Sequence, residues 1–302
     1  MASLLEIKKK ISGVTNTRKI TKAMQLVAAS KMQQFQRKAL SSRGYVGDLL
    51  DVLQKNVGEN ESIYSEKRTE GPLLFVIYTS DKGLCGALNT KLINSLFRSN
   101  IWNETPAEQR LLITIGRKST EFAKNNGIKV EKNFSGVPEK LTNFEAITIV
   151  DQILEYWRAE KCREIIFVSP HYKNSFTNYP VRKTFLPFSD EMLAAHLGPH
   201  VDEDEAEASE PMAKSKNGFM LYSPDQEQVT ERLHELIVHA LFSQSFLELK
   251  AAEYSSRMLA MKNATDAADN MIDDLTLTFN KARQQSITQE IAELAGASAA
   301  FE

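Results

Sequence analysis

The chain has 302 residues, 42% of them hydrophobic, which is enough to bury a core in one large domain or two modest ones and too apolar for a chain disordered throughout. Its net charge of −2 hides a polarity: residues 1–45 hold ten Lys/Arg against the single acid Glu6, whereas residues 225–302 hold six Lys/Arg against thirteen Asp/Glu. Two cysteines, Cys85 and Cys162, make neither a CxxC pair nor a disulfide framework, and the longest strongly apolar run, Leu73–Tyr78, is far short of the ~20 residues that span a bilayer.

The opening MASLLEIKKKI lacks the basic-then-apolar order of a secretory signal, and its helical pattern continues past Leu40, so the mature chain is expected to begin at or near Met1. With so few cysteines, a reducing compartment is the simpler setting. From Leu4 to about Val57 apolar residues recur at helical spacing: Ile7, Ile11, Val14, then Ile20, Met24, Val27, then Met32, Phe35, Ala39. The spacing predicts one long helix over 1–57, with fraying or a break near Gly44–Gly47, because each interior glycine costs about 1 kcal/mol relative to alanine.

Between residues 71 and 200 the period changes. Runs at Leu73–Thr79, Leu111–Ile115, Ile165–Val168 and Val181–Pro187 read as strands that stand between helical patterns, which implies an α/β domain with a mostly parallel sheet covered on both faces. One helix starts at a capping box, Thr142 with Glu145, and carries Ile147, Val150, Leu154 and Trp157 on one face. Another, near Arg117–Asn126, stops at Gly127, a residue that accepts the left-handed conformation of a helix end.

Residues 201–218 include six acids in the nine positions Asp202–Glu210, a composition that predicts a solvated insertion. From Asp225 to Ala295 there is neither proline nor glycine, and the rhythm Tyr254, Met258, Met261, Thr265, Ala268, Ile272, Leu275, Phe279, Ala282, Ser286 is a coiled-coil seam. The same rhythm runs earlier through Val229, Leu233, Leu236, Ala240, Ser243 and Leu247, and one step of four at Leu247–Ala251 is a stutter. Opposite charge and matching stripes predict that the two terminal helices pair antiparallel. The second is longer by about fifteen residues, so the end that carries NKARQQSITQE, Asn280–Glu290, is expected to project.

Three stretches resemble the gamma subunits of F-type ATP synthases: NTRKITKAMQLVAASKM (Asn16–Met32), TSDKGLCGALN (Thr79–Asn89) and SSRMLAMKNATDAADNMIDDLTLTFNKARQQSITQEI (Ser255–Ile291). The order coil, α/β domain, coil extends the resemblance over nearly the whole chain. It departs from the family in the acidic insertion and at Ser223, where similar proteins often have an acid, and the regulatory cysteine pair of chloroplast members is absent. The resemblance implies a long antiparallel coiled coil joined to a central Rossmann-like domain. It also implies a non-catalytic rotor shaft that couples proton- or sodium-driven rotation of a membrane ring to changes at the catalytic sites of the F1 ring.

The implied partners are the catalytic beta and non-catalytic alpha subunits, an epsilon subunit and the membrane c-ring, on the cytoplasmic face of a bacterial plasma membrane, with no cofactor, metal, substrate or nucleic acid. By resemblance, Arg283 and Gln284 hold a loop of a catalytic subunit, and Met24, Ile20 and Val27 lie near the same level of the shaft. Lys22, with Arg18 and Lys31, would meet an acidic partner loop; Arg257 would anchor the coil to the α/β domain or a stator loop by an ion pair. Glu293 would enter the bearing at the tip, and Tyr222 would belong to the foot. The plainer reading of each stays open: Ile20, Met24 and Val27 as seam residues, the lysines and arginines as a solvated face.

Two rival functions can be weighed on the residues. In a nucleotide-binding enzyme, Gly83 and Gly86 would cradle phosphate, but GLCG matches neither GxGxxG nor GxxxxGK[ST], and GRKST at Gly116–Thr120 lacks the upstream glycine. A scaffold or nucleic-acid binder would use the basic N-terminal arm, yet only Phe35 and Tyr45 offer stacking surfaces there. The five histidines show no metal-ligand spacing.

Overall fold

In a computed structural model, the structure describes residues 4–56, 63–139, 141–188, 223 and 225–299. Among these, the chain forms α1 (Leu4–Asn56), β1 (Leu73–Tyr78), α2 (Leu88–Phe97), α3 (Asn100–Glu104), β2 (Arg110–Ile115), α4 (Arg117–Asn125), β3 (Lys132–Phe134), α5 (Asn143–Arg158), β4 (Glu164–Tyr172), β5 (Asn178–Leu186) and α6 (Gln226–Ala299). The acidic insertion and Tyr222 lie outside the described residues.

α1 runs unbroken through Gly13, Gly44 and Gly47, against the expected break. Packing along its length outweighs a propensity cost of about 1 kcal/mol per glycine, since Val46, Leu50 and Leu53 beyond the glycines are all buried. α1 and α6 lie antiparallel. Arg18 meets Asp269, Thr21 meets Thr265, Phe35 stacks on Tyr254 and Arg43 meets Glu248, so one number rises as the other falls.

The sheet has the order β3-β2-β1-β4-β5. β1, β2, β3 and β4 are parallel, and β5 is an antiparallel edge strand that returns from β4. Pro180 is tolerated there because an edge strand does not need every N–H. β1 is buried along its whole length, as a central strand with both faces covered must be. One face packs under α2, α3 and α4 through Phe75, Trp102, Leu96 and Ala123. The other packs on α5 and the coil through Tyr78, Phe167, Trp157, Phe242 and Phe246.

α5 has the expected capping box: Glu145 N–H donates to Thr142 Oγ1, and Thr142 N–H donates to the Glu145 carboxylate at 2.8 Å. Its inner face is shifted from the expected one. Ile147 is exposed, and Ala146, Ile149, Val150, Ile153, Leu154 and Trp157 are buried, because the helix sits in the angle between sheet and coil and hides a wider arc than one stripe. α4 ends as expected, with Gly127 at φ 64°, Ile128 N–H donating to Ala123 O and Gly127 N–H to Lys124 O.

Candidate partner interface

The register of the coil decides which residues face outward. The buried stripe of α1 runs through Ile7, Thr21, Ala28, Met32, Phe35 and Ala39. Thr21 and Ala28 occupy the places expected for Ile20 and Val27, which are 60% and 56% exposed. Met24 is half-buried. The seam reading of Ile20 and Val27 is therefore corrected: small residues at 21 and 28 let the backbones approach closely, and the larger apolar side chains are turned to solvent one position away. Ile20 and Val27 thus share an exposed face of the shaft, and Leu26, 62% exposed, presents a further apolar side chain on another.

The expected set of free cations is also corrected in part. Arg18 pairs with Asp269 across the coil at 2.5 Å, and Lys31 donates to Glu139 of the loop before α5 at 2.7 Å. Both are held within the chain: the coil register brings Asp269 opposite Arg18, and the α/β domain brings Glu139 to Lys31. Lys22 stays exposed, with no ion pair among the described residues.

At the far end, extending the register at 1.5 Å per residue on each helix puts Leu4 level with about residue 283, so among the described residues roughly the last 16 of α6 have no helix beside them. Arg283, Gln284 and Glu293 are all exposed there, as are Ile287, Ile291 and Leu294. Gln289 donates to Glu293 at 2.9 Å along the helix. An isolated helix of this length is marginal in water, and Ile287, Ile291 and Leu294 form an exposed apolar row along it.

Arg257 is buried. It donates to the carbonyl of Gly83 at 3.0 Å and to Glu253 of its own helix at 2.8 Å. It thus anchors the coil to the α/β domain, but through a backbone carbonyl, and its ion pair is internal to α6. The residues that sequence reasoning missed lie nearby. Glu248 of α6 is buried and accepts from His171 at 2.9 Å, Arg43 at 3.1 Å and Gln244 at 3.2 Å. Burial alone would push its carboxyl up, yet the His171 hydrogen bond and the Arg43 charge bring it down to about 2. A charged residue inside a stretch that is otherwise seam was the available signal.

The geometry also disposes of the phosphate-cradle reading. In a doubly wound sheet, ligands bind beyond the carboxyl ends of the strands, where the order reverses between β1 and β4. Here that crevice is filled by α6: Ser255 donates to Ser175 O and Arg257 to Gly83 O. The amides at the start of α4 are also taken. Gly116 N–H donates to Phe134 O, Arg117 N–H to Asp81 Oδ1 and Ser119 N–H to Thr79 Oγ1. A helix N-terminus so occupied has no donors left for an anion. Gly116 is required for this closure, since a Cβ there would lie 2.0 Å from Thr79 O at a φ of 94°.

A family model described as ATP synthase matches residues 3–301. The chain belongs to the ATP synthase family. Among similar curated proteins, the ATP synthase gamma chain of Staphylococcus epidermidis is 30% identical, with all of both chains covered. That of Nitrosomonas eutropha is 32% identical over 99% of this chain and 100% of its own length. Among solved structures, a chain of the Euglena gracilis mitochondrial ATP synthase, solved with OSCP, F1 and c-ring, has a TM-score of 0.67 at 18% identity, covering 99% of this chain and 94% of its own. A chain of the Tetrahymena thermophila central stalk and c-ring has a TM-score of 0.58 at 24% identity, covering 81% and 99%. As a member of this family with the gamma-chain architecture, the protein serves as the rotor shaft of an ATP synthase. Among the described residues no helix is long and apolar enough to cross a membrane.

Proposed function

We propose that this shaft is non-catalytic and works by touching otherwise identical catalytic sites unequally. A ligand shifts a two-state site only by its differential affinity for the two states, so sites of one chemistry differ only if a partner contacts them differently. A single two-helix rod with one bare tip is such a partner. The carrying observation is that tip: Arg283 and Gln284 are exposed where α6 outruns α1, and Ile20 and Val27 are exposed on one face of the other helix.

In this reading Arg283 and Gln284 hold a loop of a catalytic beta subunit, Lys22 meets an acidic segment of the same ring, and Glu293 with the apolar row lies in the bearing formed with alpha subunits. The guanidinium fork and the amide donate to carboxylates and carbonyls, each charged bond contributing about 1.5–3 kcal/mol, which is strong enough to hold and weak enough to release each turn. The foot, built from the α/β domain and the start of α6 with Tyr222, meets an epsilon subunit and the c-ring. The complex would sit peripherally on the cytoplasmic face of a bacterial plasma membrane and be driven by protons or sodium ions.

The test is the double variant Arg283→Ala with Gln284→Ala in the assembled complex. ATP synthesis and ATP-driven rotation are expected to fall by about tenfold, the effect of one lost charged contact in the transition between states, while assembly persists. Unchanged synthesis in an assembled complex overturns the role given to the pair. The isolated chain is expected to hydrolyse no ATP, and turnover by a pure sample would revive a catalytic reading.

A further inference from the structure

One group of polar contacts between the coil and the α/β domain gathers where the coil leaves the domain. Three domain segments, distant in sequence, reach the coil at the level of Tyr254–Arg257. From the loop after β1, Gly83 O accepts from Arg257 at 3.0 Å. From the β4–β5 turn, Ser175 O accepts from Ser255 Oγ at 2.5 Å, and Asn178 Nδ2 donates to Ser256 Oγ at 3.0 Å. From the loop before α5, Glu139 accepts from Lys31 of α1 at 2.7 Å.

These contacts are braced. The Lys31 ammonium and the Arg257 guanidinium both lie over the Tyr254 ring, 5.4 and 5.3 Å from its centroid. Behind Arg257, the buried Glu253 accepts from it at 2.8 Å and from the buried Lys250 at 3.1 Å, which fixes the direction of the guanidinium. Further along α6 the cross-helix polar contacts go to α1 instead, Thr265 to Thr21 and Asp269 to Arg18.

Toward the foot, α6 packs Phe242 and Phe246 against Tyr78 and Phe167 of the sheet, and its polar contacts to the domain there go through two carboxylates, Glu248 with His171 and Glu235 with Arg158 and Tyr64. Apolar contact is non-directional: it opposes separation but resists a rotation of the coil in its seat only weakly. Hydrogen bonds weaken steeply as their angle changes, so a set of them drawn from three loops defines one angular setting. We propose that Lys31, Ser255, Ser256 and Arg257, with Glu139, Asn178 and the carbonyls of Gly83 and Ser175, form a collar through which torque on the α/β domain enters the coil without slip. The proposal rests on the rotor reading above and adds to it a place of torque transfer. Arg257 is in this sense a positioning residue, acting on the catalytic sites only through the angle of the shaft.

The experiment uses the whole complex in proton-tight vesicles and reads protons taken up per ATP hydrolysed. One variant joins Ser255→Ala to Asn178→Ala; a second joins Lys31→Met to Glu139→Gln; neither leaves a buried charge unpaired. A third, Arg257→Lys, keeps a charge for Glu253 but loses the fork. In each, the proton-to-ATP ratio is expected to fall about fivefold, the shift between engaged and slipped angles that losing one hydrogen bond of ordinary net strength permits. Subunit composition, melting temperature and hydrolysis rate should stay near those of the unaltered complex. Arg18→Ala, which breaks a polar contact inside the coil, should leave the ratio unchanged. Full coupling in the assembled collar variants overturns the proposal, as does a loss of coupling that merely tracks a loss of assembly or melting temperature. If the unaltered chain joins no catalytic ring, the rotor reading fails first; if it couples and the collar variants do too, only the collar falls.

Discussion

The two halves of α6 share one helix and one seam rhythm but are held in different ways. From Gln226 to Arg257 the helix is buried on several sides, with Ile237, Val238, Leu241, Phe242, Phe246, Leu249, Ala252 and Tyr254 all inside, because α1 covers one side and the sheet and α5 cover others. Beyond Arg257, among the described residues, only Met261, Thr265 and Ala268 are buried, followed by half-buried Ile272, Leu275 and Phe279, since there α1 alone covers it. Hydrophobic stabilisation follows the apolar area removed from water, so the first half carries the fold, and the second is a thin rod whose surface is left for partners.

Truncation at the centre of each half measures that difference. Phe242 is fully buried, stacked on Tyr78 with centroids 5.9 Å apart and edge-on to Phe167 at 5.9 Å. Phe242→Ala should cost about 3–5 kcal/mol in urea unfolding, the range for a large aromatic in a well-packed core. Met261→Ala in the rod should cost roughly half of that or less, because the cavity opens toward solvent. Equal losses would erase the distinction between the halves.

The domain half also holds buried titratable groups, and these make its stability depend on pH. His234 is buried beside Phe188 and Tyr64, and desolvation lowers its pKa to about 4 from an ordinary value of about 6.5. Its folded pKa lies below its unfolded one, so the stability it allows is complete above pH ~6.5 and is lost as the pH falls toward 4. Glu248, brought down to about 2, loses its share between about pH 4.5 and 2 in the same direction. Acid should therefore loosen the domain in two steps, seen by following Trp157 fluorescence against pH. His234→Phe should remove the first step, worth up to a few kcal/mol, and leave the second. A first step that survives this substitution would place the acid sensitivity elsewhere.

The contrast between the halves also explains what could be read from the chain. The rod was legible, because a structure with one partner needs only one stripe, and Tyr254 to Phe279 follow it without an exposed member. The capping box at Thr142 and the stop at Gly127 were legible for the same reason, being local chemistry. The domain half was not: Leu236 fits the rhythm and is 43% exposed, whereas Ile237 beside it is buried, because the sheet draws in a second face that no periodicity announces. β3, the three residues Lys132–Phe134, is too short to show a pattern, and its place is set by pairing with Ile113–Ile115. Of the candidate contacts, Arg283, Gln284 and Glu293 came from resemblance and do lie exposed. The collar joins residues 31, 83, 139, 175 and 255–257, whose proximity exists only once the chain is folded.

The smallest expected effect lies in the rod's seam, where Thr21 and Thr265 face each other with their hydroxyls 2.8 Å apart. Thr21 Oγ1 is also 3.0 Å from Arg18 O, and Thr265 Oγ1 is 2.8 Å from Met261 O. Three bonds are drawn but only two hydroxyl protons exist, so whichever hydroxyl donates across the seam gives up the bond to its own helix. The pair is thus worth less than its short distance suggests. Replacing one threonine by valine leaves the other buried hydroxyl without its cross-helix partner, at about 1 kcal/mol; replacing both removes the polar groups together and should be neutral or slightly stabilising. A double-mutant cycle on Thr21→Val and Thr265→Val should therefore give a coupling of about 0.5–1.5 kcal/mol, with the double variant no weaker than either single. A polar residue in a coiled-coil seam is also a register mark, and on the rod, with few large apolar knobs to hold it, that mark matters more than its energy. If the double variant proved as stable as the original but let the helices slide, cross-linking of engineered cysteines at positions 18 and 269 would fall, and the threonines would be shown to fix register and not stability.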